Sequence, residues 1–412
     1  MTSPAGVVVV GAGLAGLRCA LELERRGHEV EVLDAADAPG GRIRTDEIEG
    51  FRLDRGFQVY LTGYREAGQV LDLDALDLGL FDAGARVRLE DGTTRPLADP
   101  LRHPLDGVRT LVGGPVRVGD LLRLGRRRLG NAVREPRESD EPRTTLEILE
   151  ADGYSEEAIE RFFRPFFGGV FLDPELETSA AMFEFVLSTF SRGRAALPRG
   201  GMEAIPRQLA RRLRTGVRPD ARAVTVEPGR VTLADGTVVE GRAVVVATSL
   251  PEARRLTGLE DDRGTRSTRV YYYAAPSSPL RGPVLLLNGG GSGPVNHVCV
   301  PSDVAAGYAP KGQALVSVTV LGTAGESGVD DRVRRQLGEW FGPEVEGWRL
   351  LRSYRVDDAL PAQPPGSLKG PRPPSLAPGL FVAGDHRTHA SIEGALVSGR
   401  RAAEAVAESL SA

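Results

Sequence analysis

The 412-residue chain is short of lysine: of its 52 cationic side chains only Lys311 and Lys369 are lysine, and the rest are arginine. Its two cysteines, Cys19 and Cys299, are too few for a disulfide framework and too far apart for a metal-ligand spacing, so no metal site is expected. Cys19 falls within a predicted helix and reads as core packing. A net charge of −4 leaves no global basic field, which argues against a nucleic-acid partner. Residues 282–302 carry no charge and approach the roughly 20 residues of a membrane span. That stretch holds five glycines, three prolines, two asparagines and a histidine, so it reads as strand and loop. The first strand begins by Gly6, which leaves no room for a secretory leader, and a cytoplasmic protein is expected.

What is present is concentrated at the two ends. Val7–Val10 is a continuous apolar run, the pattern of a central parallel strand covered on both faces. Leu14, Leu17 and Leu21 then mark one helical face, Gly27 suits the helix stop, and Glu29–Leu33 reads as a second strand ending at Asp34. Within this β-α-β unit Gly11 serves the tight turn, Gly13 the approach of a pyrophosphate and Gly16 the packing of helix on strand. The free N–H groups of the helix start favour an anion. Asp34 stands where a carboxylate accepts from an adenosine ribose and disfavours a 2′-phosphate, which points to FAD or NAD.

A second glycine loop, Ala38-Pro39-Gly40-Gly41-Arg42, follows at once. An extended FAD needs such a further grip, and Arg42 offers a fork of donors to phosphate oxygens; a surface arginine in a flexible loop is the plainer alternative. Near the other end, Gly379–Asp385 reads as a short strand ending in Gly384-Asp385, and a helix is predicted from Ser391 to about Leu410. Asp385 is placed for a polyol hydroxyl, and the helix start for the flavin edge where charge gathers on reduction. Ser391 and Glu393 read equally well as helix caps.

These stretches, together with LDRGFQVY (53–60), LPRGGMEAIPRQLA (197–210) and VVVATSLPEARRL (244–256), resemble the flavin amine oxidase superfamily. Its members include amine oxidases, protoporphyrinogen oxidases and carotenoid desaturases. The resemblance covers nearly the whole chain in family order. It implies FAD contacts at Gly11, Gly13, Leu14, Ala15, Asp34, Gly41 and Arg42, a turn at Gly56-Phe57 beside the flavin, and adenine against the backbone of Val224. It further implies that Gly384, Asp385, Ile392 and Ala395 hold the ribityl chain and ring. Relatives that attach flavin covalently use a cysteine in the carboxy-terminal segment. None stands there, so noncovalent FAD is expected.

The expected fold is α/β: a Rossmann-type FAD-binding domain built from residues 1–75, 196–264 and 356–412, with an inserted α+β substrate domain of residues 76–195 and 265–355. The first insert reads as mostly helical, with helices at 145–151, 155–167 and 179–190, and the second as strand-rich, at 269–274 and 314–320. Phe167, Tyr271 and Tyr273 are candidate pocket walls, the tyrosines because alternate strand positions share a face. Residues 101–137 hold nine arginines against three acidic residues, interleaved with Leu121, Leu122, Leu124 and Leu129. That is either a solvated face or a basic helix making weak peripheral contact with an anionic membrane.

Amine oxidases of the superfamily commonly place a lysine on a substrate-domain strand. The corresponding stretch, 266–275, has Arg266 and Arg269 instead. The resemblance therefore implies an FAD-dependent oxidoreductase that desaturates a hydrophobic small molecule by hydride transfer to flavin N5, with oxygen or a quinone-like acceptor. An amine oxidase, a redox-neutral isomerase and a non-catalytic flavoprotein are the alternatives. No catalytic side chain is assigned. His386 and His389, beside Asp385, are the candidates for proton transfer.

Overall fold

The computed structural model describes residues 5–98, 114–133, 138–322 and 328–411. Of the basic segment, residues 101–113 and 134–137 lie outside the described residues, and Val118–Val133 forms a helix. The strand Ala5–Val10 lies at the centre of an eight-stranded sheet, with Val7, Val8 and Val9 fully buried. It pairs in parallel with Val30–Leu33 on one side and with Val238–Val246 on the other, in the registers Val10↔Leu33 and Val10↔Val246. Leu380–Val382 adds beyond Val238–Val246, also in parallel. Chain ends some 370 positions apart thus meet two strands from each other, because each supplies an all-apolar strand that only a covered parallel sheet can bury.

The helices Leu14–Arg25 and Ile392–Ser411 pack against each other on this sheet. Gly399 sets their separation, since a Cβ there would overlap the Ala15 carbonyl oxygen, and Gly16 sets the first helix against the strand turn, since its Cβ would overlap the Gly11 carbonyl oxygen and crowd Ala247.

The second sheet has seven strands, in the order Arg349–Pro361, Thr265–Ala275, Ala314–Leu321, Val295–Cys299, Leu285–Asn288, Gly84–Arg88 and Thr94–Ala98. All its pairs are antiparallel except Leu285–Asn288 with Gly84–Arg88. The hairpin of residues 84–98 adds two strands to a first insert that is otherwise mostly helical, as expected. Ala85 and Val87 are buried while Arg86 and Arg88 are less so, a period-two signal hidden among arginines and closed by Gly92 at φ 77°. The other edge strand, Arg349–Pro361, runs across the boundary expected at 355/356. The helices Thr145–Ala151 and Ala180–Arg192 form as expected, and a further helix passes from Glu156–Ala158 through a π-helical turn, Ile159–Phe163, into Arg164–Phe171. Their shared core is aromatic, with the Phe167 and Phe183 rings 4.7 Å apart.

Two helical glycines should respond oppositely to the same change. Gly399→Ala must push the terminal helices apart and is expected to cost about 1–3 kcal/mol. Gly338→Ala, in the helix Val329–Phe341 where a Cβ meets nothing within 4 Å, is expected to stabilise by about 0.5–1 kcal/mol. Denaturant melts of both variants check this, and destabilisation by Gly338→Ala or none by Gly399→Ala contradicts the packing described.

Candidate cofactor cleft and active site

Three segments distant in sequence converge on one cleft. The Gly11 turn, at φ 107°, is tied by its N–H to the Leu33 carbonyl. Asp34 accepts from Ala12 N at 2.5 Å and Ala36 N at 2.8 Å, so its carboxylate is held beside that turn. Arg42 forms an ion pair with Asp385 at 2.7 Å and donates to the Ala359 carbonyl at 2.8 Å. Gln58 in turn donates to the Arg42 carbonyl. One guanidinium thereby joins the second glycine loop, the carboxy-terminal Gly-Asp and the long edge strand.

The carboxy-terminal helix start is fixed by two different caps. Ser391 Oγ accepts from Gly394 N, whereas Glu393 turns away from its own helix. Its carboxylate accepts from Arg65 N, Glu66 N and Ala67 N at 2.8–3.0 Å, the N-terminus of the helix Arg65–Val70. On the opposite side, Asp54 is buried and accepts from Thr45 Oγ1, Met202 N and Tyr308 OH, which anchors the Gly56-Phe57 turn that follows. Burial pushes the Asp54 carboxyl up to about 6.

The residues Gly11, Gly13, Leu14, Ala15, Asp34, Gly41, Arg42, Gly56, Phe57, Gly384, Asp385, Ile392 and Ala395 all line one cavity of about 1540 Å³. Phe167 lines it too. That volume exceeds the roughly 300–1,000 Å³ of a pocket for one small ligand, so a cofactor and a second molecule both have room. The glycine pattern fits a dinucleotide. A Cβ on Gly13 would meet no atom within 4 Å, so packing within the chain does not require glycine there, whereas a ligand pressed onto the turn does. Gly41 stands opposite, its would-be Cβ 3.4 Å from Gly13 Cα. The helix Leu14–Arg25 begins with no side-chain cap and no acidic residue in its first turn, which leaves its N–H groups and positive end for a pyrophosphate.

Other expected residues lie elsewhere. Val224 is outside the cavity wall, which is formed instead by Ala221, Arg222 and Ala223. A register shift between Ala223 and Thr225 turns Val224 outward, 38% exposed, and its carbonyl accepts from Arg255. Tyr271 and Tyr273 are not pocket walls. They are buried with Val298, Val316, Val318 and Trp348 on the far face of the second sheet, and the cavity face belongs to the other parity of the strand, with Thr268 in the wall. Arg266 and Arg269 pair with Asp173 and Asp330, and both lysines are exposed; no lysine lines the cavity among the described residues. Neither His386 nor His389 lines it either. His386 is 1% exposed with no hydrogen-bond partner on either ring nitrogen among the described residues, and His389 packs on Phe185 at 4.2 Å and meets Ser391 Oγ.

The histidine in the wall is His297, from the strand Val295–Cys299. Its ring meets Phe57 at 5.0 Å, and its cross-strand partner Thr319 also lines the cavity. The signal for it was a histidine between buried strand positions, visible only once the facing strand was known.

A model of the family "Flavin containing amine oxidoreductase" matches residues 14–407. The chain belongs to that family. It is 28% identical over 282 residues to the zeta-carotene-forming phytoene desaturase of Myxococcus xanthus, a match over 60% of this chain and 54% of that protein. The chain thus spans about half the length of that relative. Among solved structures it is similar to an oxidoreductase from Methanosarcina mazei (TM-score 0.75, 18% identity, 98% of this chain and 100% of that one). It is also similar to the cyclohexylamine oxidase of Brevibacterium oxydans (TM-score 0.71, 19% identity, all of both chains). The cofactor that this family and this cleft call for is FAD.

Burial lowers His297 to about 3 and His386 and His389 to about 4. All three stay neutral when folded and gain a proton below about pH 6.5 when unfolded, so the stability they allow at neutral pH is lost as pH falls toward 4. At pH 5 the loss is about 2 kcal/mol for each, offset by about 1 kcal/mol from Asp54, whose raised value favours the folded state in acid. The melting temperature is expected to drop by several degrees between pH 7.5 and 5. An unchanged or higher value contradicts the assignment.

Proposed function

We propose that this chain is an FAD-dependent oxidoreductase that dehydrogenates a hydrophobic small molecule, with noncovalent FAD and with oxygen or a quinone-like compound as final acceptor. The observation that carries the reading is the wall of the cavity beyond the cofactor residues: Phe162, Phe166, Phe190, Leu124, Val186 and Leu187 are apolar, and no lysine joins them. When bound, FAD supplies two-electron oxidation at its ring. The residues around it bind, orient and exclude water. Asp34 and the Gly11–Ala15 turn would hold the adenosine and pyrophosphate, Arg42 and Asp385 the phosphate and ribityl region, and Phe57 and the helix start at Ile392 the ring.

On this reading residues 1–75, 196–264 and 356–412 carry the cofactor and 76–195 and 265–355 cover it, with the one departure that the strand Arg349–Pro361 belongs whole to the second sheet. It also gives a route of entry. Leu122 and Val170 line the cavity and are 64% and 36% exposed, and Arg123 and Arg126 flank Leu122 on the surface. Among the described residues no helix is long and apolar enough to cross a membrane, so we place this rim against an anionic bilayer surface as a peripheral contact.

Anaerobic mixing of the FAD-bound protein with polyene hydrocarbons and with a panel of primary amines tests both statements. The polyenes are expected to bleach the flavin and to leave as products two hydrogens lighter, and Leu122→Glu is expected to slow bleaching several-fold from anionic vesicles but not from detergent. Bleaching by amines alone supports an amine oxidase instead. Turnover only with pre-reduced flavin, at unchanged product mass, supports an isomerase, and no response to any donor supports a binding protein.

A further inference from the structure

Two buried polar groups in the cavity wall are left without partners. Asn296 Nδ2 donates to the Pro165 carbonyl at 2.9 Å and stands 3.0 Å from His297 Nδ1. An amide nitrogen has only protons to give, so Nδ1 accepts and the ring carries its proton on Nε2. Nε2 has no hydrogen-bond partner among the described residues, nor has Oγ1 of Thr319, directly across the strand pair. The two residues are 4% and 2% exposed, and both line the cavity. Buried donors are ordinarily paired, because an unmet one gives up its hydrogen bond to water for nothing. Thr319 has valine on either side, Val318 and Val320, so a third valine would suit the strand as well.

The ring is held from several sides. Phe57 packs on it, Asn296 fixes its tautomer, and Gly169 makes room for the pair, since a Cβ there would lie 2.8 Å from Asn296 Nδ2 and 3.3 Å from His297 Nδ1. Every other aromatic or aliphatic group of the outer wall is indifferent to where along its length an apolar molecule stops. A fixed neutral N–H beside a hydroxyl is not.

We propose that His297 and Thr319 form a recognition pair for one oxygen function, a ketone, ether or hydroxyl, on an otherwise hydrocarbon substrate, and so set which of its C–H bonds faces the cofactor. The inference rests on the reading of this cavity as the substrate site. A neutral donor suits a neutral oxygen acceptor; an ammonium group, with protons only to give, cannot accept from Nε2. Burial keeps the ring uncharged throughout the neutral range.

Cyclododecanone and cyclododecane serve as matched probes, titrated into the FAD-bound full chain and followed by flavin absorbance. The ketone is expected to bind at least about ten-fold more tightly than the hydrocarbon, and His297→Phe and Thr319→Val are each expected to remove most of that preference by weakening the ketone rather than the hydrocarbon. Equal affinities in the unsubstituted protein, or a preference that survives both substitutions, overturn the recognition pair and leave the apolar cavity standing. If neither probe binds, the cavity reading fails and this proposal with it. Nitrogen NMR of 15N-histidine protein needs no variant: a neutral Nε2–H ring whose signal moves with the ketone and not with the hydrocarbon is expected, and an Nδ1–H ring or an unmoved signal contradicts the proposal.

Discussion

The carboxy-terminal helix can reach the amino-terminal glycine turn only because Gly399 lets it lie against the Ala15 carbonyl, and the cleft depends on that approach. Charge holds the same contact from the side. Glu66, buried, accepts from Arg18 on the first helix and Arg400 on the last, at 3.0–3.1 Å, while Glu393 spans the N-terminus of the helix that carries Glu66. Buried carboxylates so fully met by donors are stable where isolated ones would not be, and removing one partner would leave the rest uncompensated. The chain ends are therefore locked before any ligand enters.

Within that frame the cavity has two chemistries. Near the glycine turns it offers backbone N–H groups, the Arg42 guanidinium and the fixed carboxylates of Asp34 and Asp385, which suit a charged, polyhydroxylated dinucleotide. Farther out it offers rings and aliphatic chains from the Glu156–Phe171 and Ala180–Arg192 helices, with polar exceptions on the sheet. Asp54, Tyr308 and, from the second sheet, Tyr272 form a buried cluster in which the tyrosine hydroxyls stay protonated because burial raises them well above their usual range.

The sequence was informative where function uses local backbone geometry. A glycine turn suits an anion through its own N–H groups, so short motifs such as Gly11–Gly16 and Gly40–Arg42 carry the whole candidate device, and the strand-turn-helix context was readable from periodicity. It was much less informative for the substrate wall. Whether Tyr271 or Tyr272 faces the cofactor is a question of strand parity, which a single β-strand covered on both faces does not encode. The contribution of His297 and Thr319 depends on a pairing between strands some twenty residues apart. The 84–98 hairpin was masked because its outward positions are arginine, as in so much of this chain. Val224 was displaced by one residue, by a bulge that no composition signals.

The central claim is that both ends of the chain close on a single cofactor. Hydrogen–deuterium exchange of the apoprotein with and without one equivalent of FAD tests it most directly. The account requires the amides of residues 11–15, 40–42 and 384–395 to gain protection together, at the same FAD concentration. Protection confined to residues 11–34, with the carboxy-terminal segment exchanging as before, would contradict it.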